Sequence, residues 1–417
     1  MEEKKTMQKV DVTEKLFDQS STIKEFTAVV RSCEKTEGGY QVVLNRTAFF
    51  PEGGGQDGDS GWLYEAAVAV TEPETSFLEQ RRSATLLGVV CDTQEKNGII
   101  YHKTDRPVEP GTCVIGRLDF EERFMRMQQH TAEHIISGIV HRLHGYDNVG
   151  FHLGVDVTTL DFNGELTWEQ VHEAETLANR AVFDNLPVEI LYPTSQELEH
   201  LVYRSKIEIE GQVRIVSIPG VDVCACCAPH VNRTGEIGLI KILTCDRHRG
   251  GCRMTMVSGI RALADYQMKQ NSVSEVSSAL SAKPQEIGAA VLRQKQQIQK
   301  LREHLNQLQA SYLSEKLSGI TGEEKTVCIF VEDFDAIAVR NFVNDAMERC
   351  SGICAAFVGN DLDGYRYIIG SRSADTRNLA KRLNLTFEGK GGGKPEMVQG
   401  SLKGMQSEIR RALDGQA

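Results

Sequence analysis

Two pairs of metal-ligating side chains, each four residues apart, constrain this chain more than any other feature. His130 and His134 lie within residues 122–143, whose apolar spacing predicts a helix stopped near Gly145. Side chains four apart stack on one helix face, so the two imidazoles point the same way. At about 100° per residue, Ala132, Ile135, Ile136, Ile139, Val140 and Leu143 fall between about 140° and 280° from His130. The apolar stripe is thus opposite the histidine stripe, and the pair faces a cleft or a second layer. His141 shares the stripe but sits about 10 Å further along, too far to join the same ion.

Roughly 90 residues later, Cys224-Ala-Cys-Cys-Ala-Pro-His230 repeats the spacing with Cys226 and His230, just after a strand and the turn-forming Pro219-Gly220. A thiolate and imidazoles suit tetrahedral zinc, at about 2.3 Å to sulfur and about 2.0–2.1 Å to nitrogen. An isolated HxxxH is a weak signal; followed by CxxxH it predicts one zinc per chain, held by His130, His134, Cys226 and His230. Cys224 and Cys227 are alternative thiols. The fold must therefore bring a helix against a distant loop.

The 417 residues suffice for two or three domains. No apolar run is long enough to span a membrane, and the polar N-terminus has no secretory core, so a cytoplasmic location is expected. The eleven cysteines then read as free thiols or metal ligands. A net charge of −11 argues against broad nucleic-acid binding, yet residues 241–261 and 372–417 each carry a local excess of +4.

The predicted class is α+β: an N-terminal β-barrel, an α+β zinc core, a helical coiled-coil connector and a C-terminal α/β domain. Residues 1–20 look like a flexible arm. Residues 21–118 read as short strands, at 41–45, 66–71, 85–90 and 98–101, with Arg81-Arg82 in a loop. Residues 119–265 hold the zinc motifs, a second helix at 167–185 capped by Thr167, and strands at 212–218 and 237–243. Residues 266–318 are the connector. Within 285–317, Val291, Ile298, Leu305 and Tyr312 recur every seven residues, with Leu301 and Leu308 between them and a polar gap at Gln294. This seam suits either packing within its own domain or a homodimer. Residues 319–417 alternate strands at 327–331, 353–358 and 365–369 with a helix at 336–349; the glycine segment Gly389-Lys-Gly-Gly-Gly-Lys-Pro395 precedes an expected helix near Glu396.

Several of these segments resemble one family. His130-Thr-Ala-Glu-His134 and Cys226-Cys-Ala-Pro-His230 are similar to the two zinc motifs of the alanyl-tRNA editing domain. Asn232-Arg-Thr-Gly-Glu-Ile-Gly238 resembles the stretch that follows the second motif there. Thr47-Ala-Phe-Phe-Pro-Glu-Gly-Gly-Gly-Gln56 and Asp57-Gly-Asp-Ser-Gly61 resemble its glycine-rich motif, and residues 389–399 that of the C-terminal domain shared with DHH phosphoesterases. The resemblance spans roughly residues 25–410, in the right order, and with the glycine-rich motif at residue 47 no ATP-binding synthetase core is expected before it. It implies a freestanding, long-form editing protein of the AlaX type. One departure stands out: where the synthetase has Cys-Gly-Gly-Thr-His, the Pro-His here is similar to the editing domain of threonyl-tRNA synthetase.

The resemblance implies hydrolysis of tRNA(Ala) mischarged with serine, and of the glycine ester, an error that an alanine pocket cannot fully reject. It implies that Thr47 recognises the serine side chain. Gly54 and Gly55 let backbone approach a ligand, and the Gln56 amide can bond to the substrate or hold the loop. Arg253, with Arg247 and Arg249, is expected near the tRNA acceptor end, and Lys390 and Lys394 near phosphates. The glycine segment lacks the Gly-Lys-[Ser/Thr] ending of an ATP loop, so no ATP dependence is expected. His130-Thr-Ala-Glu-His134 also spells HxxEH, the inverted zinc-peptidase motif with Glu133 as base. A non-catalytic RNA-binding protein with structural zinc is the third alternative.

Overall fold

The computed structural model describes residues 12–66, 85–205 and 212–415. Most of the strand expected at 66–71, and the Arg81-Arg82 loop, lie outside the described residues. The chain divides into two compact units, Met1–Ser272 and Val273–Ala417.

The first unit opens with a closed six-stranded barrel, formed by β1 (Glu25–Thr36), β2 (Gly39–Leu44), β3 (Gly61–Glu65), β4 (Leu86–Lys96), β5 (Ile99–Thr104) and β6 (Cys113–Leu118) in the order β1-β2-β5-β4-β3-β6. Alternation turns Phe26, Val42, Leu44, Leu63, Val90 and Val114 inward, and closure leaves no open edge. Of the arm expected at 1–20, residues 1–11 lie outside the described residues, and residues 12–20 are not loose. Glu14–Lys15 pairs with Arg46–Thr47, and Leu16 and Phe17 are buried. Two apolar side chains suffice to dock a stretch whose composition is otherwise polar.

Helix α1 (Phe120–His144) follows, capped by the Asp119 carboxylate at its start and by Gly145, at φ 69°, at its end. Its apolar stripe, including Ile135, Ile136, Ile139 and Val140, packs on the four-stranded sheet β12-β13-β8-β7 and on helix α2 (Trp168–Phe183). Those strands are β7 (Asn148–Leu153), β8 (Thr158–Phe162), β12 (Ile240–His248) and β13 (Gly251–Ser258). Thr167 caps α2 in a capping box with Gln170. A smaller sheet, β9-β10-β11, carries the cysteine loop; it contains β9 (Glu189–Leu191), β10 (Ile215–Ile218) and β11 (Asp222–Ala225).

One buried ion pair ties barrel to helix. Arg123, in the first turn of α1, donates to the Asp59 carboxylate and, at 2.8 Å, to the Ala48 carbonyl. Asp59 in turn accepts the Phe50 N–H at 2.7 Å. The segment between, which contains the glycine motif, is thus pinned at both ends beside the helix that carries His130. Removing one partner of such a pair costs about 3–5 kcal/mol, because the other charge stays buried.

The second unit contains α4 (Ile287–Ser318), preceded by α3 (Gly259–Leu280), which crosses the boundary between the units. It then builds a five-stranded sheet in the order β14-β15-β16-β18-β17. These are β14 (Thr326–Val331), β15 (Ile353–Asn360), β16 (Gly364–Gly370), β17 (Lys390–Lys394) and β18 (Met397–Leu402). Helices α5 (Ala336–Arg349), α6 (Thr376–Thr386) and α7 (Gln406–Asp414) complete it. The helix expected near Glu396 is instead strand β18. Val398 and Leu402 fit either period, but a Cβ on Gly400 would meet the Tyr367 hydroxyl at 2.6 Å, so glycine here serves close strand packing. The architecture is α+β with an N-terminal barrel, and no helix among the described residues is long and apolar enough to cross a membrane.

Candidate metal centre

The four expected ligands meet. One ligand atom each from His130, His134, Cys226 and His230 lies within 4.8 Å of the others. Cys226 Sγ is 3.5 Å from His130 Nε2 and 3.4 Å from His230 Nε2. Tetrahedral zinc with these bond lengths would set sulfur and nitrogen about 3.6 Å apart, so the donors fit such an ion. Helix α1 supplies two ligands from successive turns, and the loop after β11 supplies the others. Of the three neighbouring thiols, Cys226 joins the histidines. Cys224 lies instead beside Asp222 on the other side of His134, and Cys227 is exposed.

Each histidine has a partner for Nδ1. His134 Nδ1–H donates to Asp222 Oδ2 at 2.9 Å, His230 Nδ1–H to Thr131 Oγ1 at 3.0 Å, and His130 Nδ1–H to Gln56 Oε1 at 3.3 Å. That leaves Nε2 of every ring for the centre. Burial pushes the His230 imidazole down to about 3, so it is neutral and able to ligate. Burial would push the Cys226 thiol up, but the electrostatics of the imidazoles packed around its sulfur, His130 foremost, outweigh it and hold the thiol well below the usual range.

The glycine motif lies against this cluster. Gly53 and Gln56 exchange backbone hydrogen bonds of 3.0 and 3.1 Å around Gly54 and Gly55, whose φ values are 61° and 79°. Two successive left-handed residues make a tight hairpin turn that favours glycine. A Cβ on Gly54 would lie 3.9 Å from His130, and one on Gly55 would collide with the Phe151 ring at 2.6 Å. Phe151 itself packs on the His130 ring at 4.8 Å. Gln56 is buried, and its Nε2 has no hydrogen-bond partner.

Thr47 stands in a short strand, paired with Lys15, just before the glycine motif. Its side chain is fully buried. The His102 Nδ1–H donates to the Val42 carbonyl at 3.0 Å, so its Nε2 accepts the Thr47 hydroxyl at 2.9 Å, while Thr47 Oγ1 accepts the Phe49 N–H at 3.1 Å. The hydroxyl retains one acceptor lone pair and no donor.

Glu133 is buried and accepts from Ser137 at 2.7 Å and Asn148 at 2.6 Å. Both of these bonds fall on Oε1; Oε2 lies 3.8 Å from His134 Nε2, beside the cluster.

The expected basic residues are dispersed. Leu160 and Met254 alternate with Asp161 and Arg253, so Arg253 projects from the sheet's outer face, away from α1, and makes a bidentate pair with Asp161 at 2.7 Å. It does not line the metal cleft. Arg247 pairs with Glu165 at 2.8 Å, and Arg249 is exposed in the β12–β13 turn at φ 46°. Lys390 and Lys394 flank an exposed edge strand, not a phosphate-cradling loop. Its Gly391 and Gly393 are needed because a Cβ would meet strand β18 at 2.5 and 2.3 Å.

The sequence reading missed Asp222, Arg204, Thr131 and His102. Only Thr131 stood inside a recognised motif; the others become neighbours of the site through tertiary pairing.

Residues 213–256 match the family described as the threonyl and alanyl tRNA synthetase second additional domain, and residues 323–415 match the DHHA1 domain. An alanyl-tRNA editing protein, AlaX-L, from Pyrococcus horikoshii is 26% identical over 95% of this chain and 96% of its own. An alanine–tRNA ligase from Natronomonas pharaonis is 33% identical over 67% of this chain but only 30% of the ligase. Among solved structures, the C-Ala domain of Aquifex aeolicus alanyl-tRNA synthetase is similar over 23% of this chain and 90% of that domain, at 16% identity and a TM-score of 0.20. The similarity to the Pyrococcus editing protein thus covers nearly the whole chain.

Proposed function

We propose that the protein is a zinc-dependent aminoacyl-tRNA deacylase that hydrolyses Ser-tRNA(Ala), and also Gly-tRNA(Ala), in the reducing compartment where proteins are made. The observation that carries this reading is the Gln56 amide. It is buried against His130, beside a four-donor metal cluster, with Nε2 lacking any partner. When bound, zinc supplies positive charge that fixes this frame and polarises groups placed against it. Four protein ligands favour positioning of substrate over an open water site.

In the proposed reaction, water attacks the ester carbon, the bond to the terminal ribose oxygen breaks, and the proton passes to that oxygen. Gln56 Nε2 donates to the carbonyl oxygen as negative charge gathers there, a contribution typically worth about 10²–10³ in rate. Both nitrogens of each ligand histidine are committed, so none is left as a general base. The vicinal ribose hydroxyl takes that part. Thr47 accepts the serine hydroxyl on its remaining lone pair. Hydrolysis of an activated ester needs no ATP.

Acceptor-end contacts are proposed for Arg249 and Arg247, and phosphate contacts for Lys390 and Lys394. Self-association is proposed through residues 285–317. Helix α4 leaves Ile298, Leu301, Leu305 and Leu308 between 45% and 60% exposed along one seam, which a second copy would cover.

The test is a substrate panel of Ser-tRNA(Ala), Gly-tRNA(Ala), Ala-tRNA(Ala) and peptides. Release of serine and glycine with alanine spared is expected. Peptide cleavage, or tRNA binding without turnover, would overturn the reading.

A further inference from the structure

The three histidines of the metal cluster are not equivalent. His130 and His230 lean on neutral oxygens, an amide and a hydroxyl. His134 alone leans on a carboxylate, Asp222, and that carboxylate is held from behind. Arg204 donates from Nε to Asp222 Oδ1 at 2.8 Å and from Nη2 to Oδ2 at 2.9 Å. Both side chains are largely shielded from water, at 2% exposure for Asp222 and 13% for Arg204.

The backbone is built around this contact. Gly138 stands one turn after His134 on α1, and a Cβ there would lie 2.5 Å from the Val221 carbonyl and 2.7 Å from Asp222 Cβ. Only glycine lets strand β11 come this close to the helix. Gly220, at φ 73°, turns the chain into β11. Arg204 is anchored independently: its N–H donates to the Val223 carbonyl at 2.9 Å, and its carbonyl accepts the Ala225 N–H at 2.9 Å. Asp222 and Cys224 also lie close enough to His134 to suggest a second cation site. The guanidinium fork already fills Asp222, so this cluster serves the first site instead.

From this geometry we infer that Asp222, oriented by Arg204, is the positioning residue that makes His134 the anchoring metal ligand and sets how tightly the cluster holds zinc. The carboxylate fixes the ring's rotation and tautomer and raises the electron density at Nε2; the arginine prevents the carboxylate from turning away. Gln56, by contrast, gives His130 only a long, neutral contact and keeps its amide donors for another partner.

The inference rests on the metal-centre reading and not on the identity of the substrate. Full-length protein is stripped of metal and titrated with zinc alone against a chromophoric chelator, with far-UV circular dichroism recording the folded fraction. Wild type is expected to bind one zinc, and Asp222→Asn to bind it about 10–100-fold more weakly. Because Asp222→Asn strands the Arg204 charge, the double variant Asp222→Asn/Arg204→Met is measured beside it. It removes both charges and is expected to stay folded while keeping the weakened affinity. A double variant restored to wild-type affinity would overturn the inference, since the stranded charge would then explain the single variant. Wild-type affinity in Asp222→Asn would overturn it too. Failure of wild type to bind zinc would remove the metal centre itself, and the inference with it.

Discussion

Replacing Thr47 by valine tests the barrel and the site together. Valine keeps the branching and nearly the volume of threonine, so packing changes little. It leaves two buried groups without partners: the lone pair of His102 Nε2, now 2.9 Å from carbon in place of a hydroxyl, and the Phe49 N–H. Each unsatisfied buried group costs about 1–3 kcal/mol, against a gain of about 1 kcal/mol from burying a methyl in place of a hydroxyl. The net loss is therefore about 1–5 kcal/mol. Thr47→Ser is the companion, since it keeps both hydrogen bonds and loses only one buried methyl. Urea unfolding should rank wild type first, serine next and valine clearly last. Valine as stable as serine would refute the hydrogen-bond assignment. On the folded fraction, the valine variant should also lose preference for Ser-tRNA(Ala) over Ala-tRNA(Ala), because the acceptor lone pair has gone.

Burial pushes His102 down to about 4 from an ordinary 6.5, so the folded protein refuses a proton that the unfolded chain accepts. The associated stability is fully present above pH 6.5 and is lost as pH falls from there to about 4, in total about 3 kcal/mol; in His102→Gln, urea midpoints at pH 4.5 and 7 should differ by less than in wild type. Gly55→Ala puts a Cβ 2.6 Å from Phe151 at a left-handed φ of 79°, and should cost about 1–3 kcal/mol and lower deacylation more than substrate binding, as read from kcat against KM. Leu305→Lys places a charge in the exposed seam of α4 and should shift sedimentation from a dimer to a monomer; one mass for both proteins would remove the self-association proposal.

The convergence of the four candidate ligands was legible because its information is local. A four-residue spacing on a helix fixes direction, and His130 and His134 stand opposite the apolar stripe, so their common target could be inferred without the fold. The Thr167 capping box and the Gly145 stop were readable for the same reason. What escaped depends on pairing between distant strands. Asp222 meets His134 across 88 positions, and Arg253 is claimed by Asp161 across 92, so neither contact leaves a mark in spacing. The bond of Thr47 to His102, 55 positions away on β5, leaves no mark in the sequence around either residue. The strand at Met397–Leu402 is not distinguishable from a helix by spacing, because its two apolar anchors are four apart, a separation that both periods allow.

Single-turnover hydrolysis of Ser-tRNA(Ala) by metal-free, zinc-loaded and reloaded protein tests the central claim most directly, with zinc content measured on the same samples. The account predicts one zinc per chain, serine release that rises and falls with zinc occupancy, and loss of both in Cys226→Ala. Metal-free protein that releases serine as fast as the loaded form would contradict it.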